Sequence, residues 1–222
     1  MFFANIWKKL IPKKRSEVIS VIVWDFDGTL YRHEKLADDL KAVYYTLCFQ
    51  EKNHNLLLSD FDNLTKKHGR WSKVTSLLTG VKEIDIISYV ENKIDKASYL
   101  NPKNRLVNVV EYLNGYKHLI LSNSSETQIK SCLLKLGYRK KPGFEIFPFE
   151  KIFGRDATGA LKPDEKAFKA LLKYTKLKPD LHLVIGDSYS EDINPARRLG
   201  FQAIHVTEVA SFLPQFRELW EN

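Results

Sequence analysis

The chain has 222 residues, is 44% hydrophobic and 28% charged, and carries a net charge of +8, which suits one large domain or a core with a smaller insertion. No run of about 18 apolar residues occurs, so a spanning helix is excluded, and there is no internal repeat or low-complexity tract. The two cysteines, Cys48 and Cys132, lie far apart without metal or redox spacing and read as free core thiols of a reducing, cytoplasmic setting.

The first element is an arm, residues 1–16. It mixes Phe2, Phe3, Ile6, Trp7, Leu10 and Ile11 with Lys8, Lys9, Lys13, Lys14 and Arg15. The apolar spacing follows one helical face and Pro12 ends it. Such an arm is expected to dock on the body, with a peripheral membrane or protein contact through residues 1–15 as the alternative. Its apolar part is too short for a signal peptide, and its charges follow rather than precede it.

Val18 to Trp24 is almost wholly β-branched or aromatic, which predicts a strand buried on both faces of a parallel sheet. Asp25 marks its carboxyl end, because a sheet interior does not hold an unpaired carboxylate. Asp25 and Asp27 are two apart and can face one pocket, and Gly28 can turn the chain sharply. Tyr31 to Tyr99 changes character. Leu36, Leu40, Val43, Tyr44 and Leu47 recur at helical spacing, as do Ile84, Ile87, Val90 and Ile94. With shorter candidates at Leu56 to Leu64 and Val74 to Leu78, this predicts about four helices inserted over residues 33–99. The insertion ends near Asn101-Pro102.

Beyond Pro102 helix and strand alternate. Helices are expected over Lys103 to Asn114, Glu126 to Leu136, from Pro163 to about Lys176, and over Ile193 to Leu199. Strands are expected at His118 to Leu121, Lys151 to Phe153, Leu181 to Ile185 and Ala203 to Val206. This order predicts an α/β protein with a doubly wound parallel sheet, built from residues 17–32 and 100–222, beside a small helical domain.

The polar residues fall at the ends of those strands. Asp25 and Asp27 follow the first, Ser122 and Asn123 the second, and Asp187, Glu191 and Asp192 the strand ending at Ile185; Lys162 precedes a helix. Clustered carboxylates suit Mg²⁺, which takes oxygen ligands and bridges carboxylates to phosphate. A lysine offsets charge beside a dianionic substrate, and a serine hydroxyl can bind phosphate oxygens. One carboxylate can attack phosphorus while a second gives the leaving alkoxide a proton. The set therefore points to phosphoryl transfer.

With DFDGTL at Asp25–Leu30, LILSNS at Leu119–Ser124, LKPDEKAF at Leu161–Phe168 and VIGDSYSEDI at Val184–Ile193, the chain resembles the haloacid dehalogenase (HAD) superfamily of hydrolases. The resemblance covers most of the chain outside the arm and the insertion. It implies Asp25 as nucleophile and Asp27 as general acid and base, its backbone carbonyl on the metal. Ser122 would hold the phosphoryl group with Asn123 beside it, and Lys162 would neutralise charge. Asp187 would bind Mg²⁺, with Asp192, or its neighbour Glu191, supporting the site. The insertion matches the family's helical cap, which closes over the active edge and sets substrate choice.

The expected activity is that of a Mg²⁺-dependent phosphatase acting on a small phosphorylated metabolite through an aspartyl-phosphate. Rival readings are a phosphomutase with the same motifs and a non-catalytic binding protein on the same fold. No nucleic-acid partner is expected, because neither the arm nor Arg139-Lys140-Lys141 is interleaved with an aromatic reading surface. Within the insertion, His68-Gly69-Arg70-Trp71-Ser72-Lys73 places cations beside an aromatic ring. Arg70 or Lys73 is expected to pair with a substrate anion and Trp71 to stack on its ring or sugar face.

Overall fold

The computed structural model describes residues 19–51, 55–103, 107–108, 110–111, 113 and 115–207. In chain order the elements begin with β1 (Val21–Trp24). Four helices follow: α1 (Glu34–Glu51), α2 (Leu58–His68), α3 (Trp71–Thr79) and α4 (Glu83–Lys93). A 3-10 turn (Lys96–Tyr99) leads towards β2 (Lys117–Leu121), α5 (Glu126–Leu136), β3 (Phe149–Phe153), α6 (Arg155–Thr158) and α7 (Glu165–Thr175). The chain then runs through β4 (His182–Gly186), a π-helical turn (Tyr189–Ile193), α8 (Asn194–Arg198) and β5 (Gln202–His205). The expected arm lies outside the described residues. Among those described, no helix is long and apolar enough to cross a membrane.

All five strands are parallel, in the order β3-β2-β1-β4-β5. The central place of β1 follows from its sequence, because each of its four side chains is apolar and they are 0–1% exposed. Alternation splits them between two cores. Val21 and Val23 join Leu119, Val184 and Ala203 against Ala167, Phe168 and Leu171 of α7 and Ala196 of α8. Ile22 and Trp24 join Ile120 and Ile185 against Ile129, Cys132 and Leu133 of α5. The buried Trp24 indole donates to His118 Nδ1 at 3.0 Å, so the imidazole proton sits on Nε2, 3.0 Å from the Leu113 carbonyl. Burial pushes the His118 pKa down, which keeps that ring neutral.

Helices α1 to α4 wrap a separate apolar centre of Tyr44, Cys48, Phe61, Val74, Ile86 and Val90. In the core, two elements start two residues away from the sequence-based expectation. Helix α7 starts at Glu165, not Pro163, because Asp164 is the N-cap and its carboxylate accepts from the Lys166 amide at 2.9 Å. Strand β3 starts two residues earlier than Lys151, since Phe149 is fully buried against Tyr138 and His118. Of the helix expected over Lys103 to Asn114, Val107, Val110 and Leu113 pack into the core, and several other positions lie outside the described residues.

Candidate active site

Parallel strands point their carboxyl ends to one edge, so β1, β2 and β4 deliver their terminal polar residues together. The Asp25 amide donates to Ile185 O at 2.8 Å, the last rung before β1 leaves the sheet. Its carboxylate is then held from two sides. Lys162 Nζ donates to Oδ1 at 2.7 Å and Thr29 Oγ1 to Oδ2 at 2.9 Å. The same ammonium donates to Asp192 Oδ1 at 2.5 Å. Asp25, Asp187 and Asp192 each bring one oxygen within 4.8 Å of the others. Asp192, rather than Glu191, is thus the acid that joins the cluster.

Three carboxylates against one ammonium make the electrostatics lopsided. Burial pushes the Asp25 pKa well up against the pull of Lys162, and Asp192 and Asp187 push it further. Asp187 rises to about 6, through burial first and Asp192 second. Burial pulls the Lys162 ammonium down, but Asp192 and Asp25 outweigh it and hold the pKa above its ordinary value. Gly28 closes the arrangement. Its φ is +82°, and a Cβ there would lie 2.2 Å from Asp187 Oδ2, so only glycine lets the first loop approach that carboxylate.

Asp27 faces the same edge, with its side chain 37% exposed. Its Oδ1 accepts from the Tyr31 hydroxyl and, at 2.8 Å, from Lys96 Nζ; its Oδ2 accepts from Ser124 Oγ at 2.6 Å. Burial raises its pKa, but Lys96, Ser124 and Tyr31 together outweigh that and lower it. Sequence reasoning did not single out these three partners. Tyr31 and Ser124 carried a signal, being four residues from Asp27 and two from Ser122. Lys96 carried none, since it is one of many lysines and lies far from any motif.

Ser122 is buried at the end of β2, and its hydroxyl accepts from the Ser124 amide at 3.1 Å. Asn123, expected beside the phosphoryl group, is tied to the Lys162 backbone and to Glu191. Its Oδ1 accepts from the Lys162 amide at 2.7 Å, and its Nδ2 donates to Lys162 O at 3.3 Å and Glu191 Oε2 at 3.2 Å. Asn123 therefore fixes the backbone from which Lys162 reaches Asp25.

Arg70, expected to pair with a substrate anion, is paired here with two carboxylates. Its Nε and Nη2 donate to the two oxygens of Glu83 at 2.5 and 3.0 Å, and Nη1 donates to Glu191 Oε1 at 2.6 Å. The guanidinium reaches both carboxylates at once, and its planar fork takes the two oxygens of Glu83 side by side. Glu83 starts α4 and Glu191 lies in the π-helical turn, so Arg70 ties the insertion to the core. Arg155 makes a second tie, donating to Glu91 Oε2 at 2.5 Å, while Glu91 Oε1 accepts from the Ser125 amide at 3.0 Å. Arg70→Ala would leave Glu83 and Glu191 half-buried and facing each other. The expected loss is about 1–3 kcal/mol of stability, between the values for exposed and buried pairs. Urea unfolding measures it, and an unchanged midpoint would refute the tie.

Trp71 does line a cavity. About 510 Å³ of space lies between the first loop and α1, bounded by Asp27, Asp187, Tyr31, Leu36, Leu40 and Trp71. Its acidic end is the cluster edge and its wall is mainly apolar.

A sequence model described as haloacid dehalogenase-like hydrolase matches residues 19–200. A sequence comparison with curated proteins gave no match. Among solved structures, a haloacid dehalogenase-like hydrolase from Bacteroides fragilis superposes with a TM-score of 0.61 at 19% identity, over 84% of this chain and 86% of that one. The HAD-hydrolase YfnB from Bacillus subtilis, solved bound to magnesium, gives 0.56 at 16% identity over 84% and 86%. A HAD phosphatase from Thermococcus onnurineus gives 0.52 at 20% identity over 87% and 97%. At these identities the superpositions speak for the fold, and the sequence match over residues 19–200 carries the family: the chain belongs to the haloacid dehalogenase-like hydrolases.

Proposed function

We propose that the chain is a Mg²⁺-dependent phosphatase that hydrolyses a small phosphomonoester through an aspartyl-phosphate on Asp25. One observation carries this reading: Asp25 is fixed between Lys162 and Thr29 at the end of β1, and Asp27, two residues on, lines the cavity at that edge beside Asp187. In that arrangement Asp25 attacks phosphorus, and the bond from phosphorus to the ester oxygen breaks. Asp27 gives the departing oxygen a proton, then takes one from the water that hydrolyses the aspartyl-phosphate. Asp27 sets this reading apart from halide displacement, whose leaving group takes no proton. Lys162 keeps a positive charge against the nucleophile, and the buried Ser122 edge holds phosphate oxygens. The helices of the insertion are the cap, and Trp71 offers a face to the leaving group.

The donor set fits Mg²⁺. Asp25, Asp187 and Asp192 are hard oxygen donors, and with Lys162 they leave two formal negative charges, which one divalent cation balances. Asp25 and Asp187, with the Asp27 carbonyl, would hold the ion, and Asp192 would steady the site through Lys162. When bound, the ion supplies charge neutralisation for phosphate and for the two carboxylates. The magnesium in YfnB and the phosphatase from Thermococcus onnurineus support the reading by analogy.

The test is hydrolysis of a phosphometabolite panel by purified protein. EDTA should abolish it and Mg²⁺ restore it, and full activity in chelator would overturn the reading. Ion binding can also be read without turnover. Asp187 titrates at about 6 in the metal-free site, and its protonated form does not ligate a cation. Mg²⁺ should therefore raise the unfolding temperature at pH 7.5 and lose most of that effect at pH 5. An equal shift at both pH values would mean that no carboxylate titrating between them ligates the ion.

A further inference from the structure

Asp27 has a partner that the reaction above does not call upon. Lys96 stands first in the turn Lys96–Tyr99, on the segment returning from α4, and Asp95 caps that turn by accepting from the Ala97 amide at 3.0 Å. It is only 8% exposed, although lysine is almost never buried unless paired. Its ammonium donates to Asp27 Oδ1 and to Ser124 Oγ, both at 2.8 Å. Ser124 Oγ in turn donates to Asp27 Oδ2 at 2.6 Å, so the lysine, the serine and the carboxylate close a ring of contacts.

A carboxyl group has about four directions, two on each oxygen, each open to an incoming donor or to its own acidic proton. Tyr31 and Lys96 occupy both of those on Oδ1, and Ser124 occupies one on Oδ2. The remaining direction belongs to Oδ2, on the side chain that lines the cavity. We propose that Lys96 is a positioning residue that locks the Asp27 carboxyl so that Oδ2 exchanges the proton with the leaving oxygen, suiting the enzyme to esters of poorly departing alcohols. The inference rests on the phosphatase reading and names the substrate class of that site: alkyl phosphates, whose alkoxide must be protonated as it leaves. A lysine with a purely structural role would support every ester alike. One that aims the acid matters only where an acid is needed.

The experiment compares wild type with Lys96→Met and Lys96→Gln on p-nitrophenyl phosphate, whose leaving group needs no proton, and on glycerol phosphate. The parameter is kcat/KM, which reports events through phosphorylation of Asp25. Lys96→Met should lose roughly 100-fold on the alkyl ester, the low end of a general acid's contribution, and only about 3-fold on the aryl ester. Lys96→Gln keeps an N–H donor group on a shorter, neutral side chain and should lose about 10-fold on the alkyl ester with the same selectivity. If Lys96→Met does not fold, Lys96→Gln decides. Equal losses on both esters, or none on either, in a folded variant overturn the proposal and leave the phosphatase reading standing. A wild-type protein that hydrolyses neither these two esters nor any member of the phosphometabolite panel overturns that reading and the proposal with it.

Discussion

Asp25→Asn is expected to lower turnover by roughly 10⁴-fold or more while leaving the fold intact, as loss of a covalent nucleophile does. The amide is isosteric with the carboxylate. Its oxygen can still accept from Lys162 and its nitrogen can face the Thr29 hydroxyl, so both holding contacts survive in form. The substitution also removes a buried carboxyl whose pKa is pushed up by burial first and then by Asp192 and Asp187. The unfolding temperature should therefore stay level or rise as activity disappears. Steady-state kinetics and thermal unfolding read the two effects. Phosphate trapping should mark Asp25 in the wild type and not in the variant. Wild-type-like turnover by Asp25→Asn would remove Asp25 from the nucleophile's role.

Lys162→Met should damage both stability and activity. The lysine is 4% exposed and touches Asp25 and Asp192, themselves nearly fully buried. Removing one partner of a buried ion pair costs about 3–5 kcal/mol, because the remaining charges lose their compensation. The carboxylates can escape by taking up protons, which gives the loss a pH dependence. Without Lys162 the folded-state pKa of Asp25, already raised by burial, rises further above that of the unfolded chain. An acid raised in this way contributes full stability below its unfolded pKa and loses it as the pH climbs through the folded one. In chelator, the gap between Lys162→Met and wild type should be wide at pH 7.5 and narrow at pH 5. Turnover should fall by about two orders of magnitude or more, since the charge that faces nucleophile and phosphate is gone. A gap that widens on acidification would mean that Lys162 is not the counter-charge of Asp25 and Asp192.

Much of this molecule is legible locally. The apolar run ending at Trp24 could only be a central strand, and Asp25 could only stand at its end. The alternation after Pro102 announces the parallel sheet, and Ser122, Asp187 and Lys162 fall where strands or a helix start put them. Such features are written in a few neighbouring residues, because the period of apolar positions and the cost of burying charge are local properties. Small errors arose where a side chain overrode a pattern, as when Asp164 took the cap of α7 from the position assigned to Pro163.

What only the tertiary structure decided is how distant charges pair. Arg70 and Glu191 are 121 positions apart, and Lys96 and Asp27 are 69 apart. Both cations come from the insertion and its return segment, and their partners from loops of the sheet's carboxyl edge. Periodicity places such a residue on a helix or a turn and says nothing about which element of another layer that helix will meet. The sequence by itself determined the sheet, its active edge and the acids and lysine gathered there, since each follows from the burial of its own neighbours. Packing of the helical layer against that edge decided that Arg70 would pair with Glu83 and Glu191 and that an unremarked lysine would sit on Asp27.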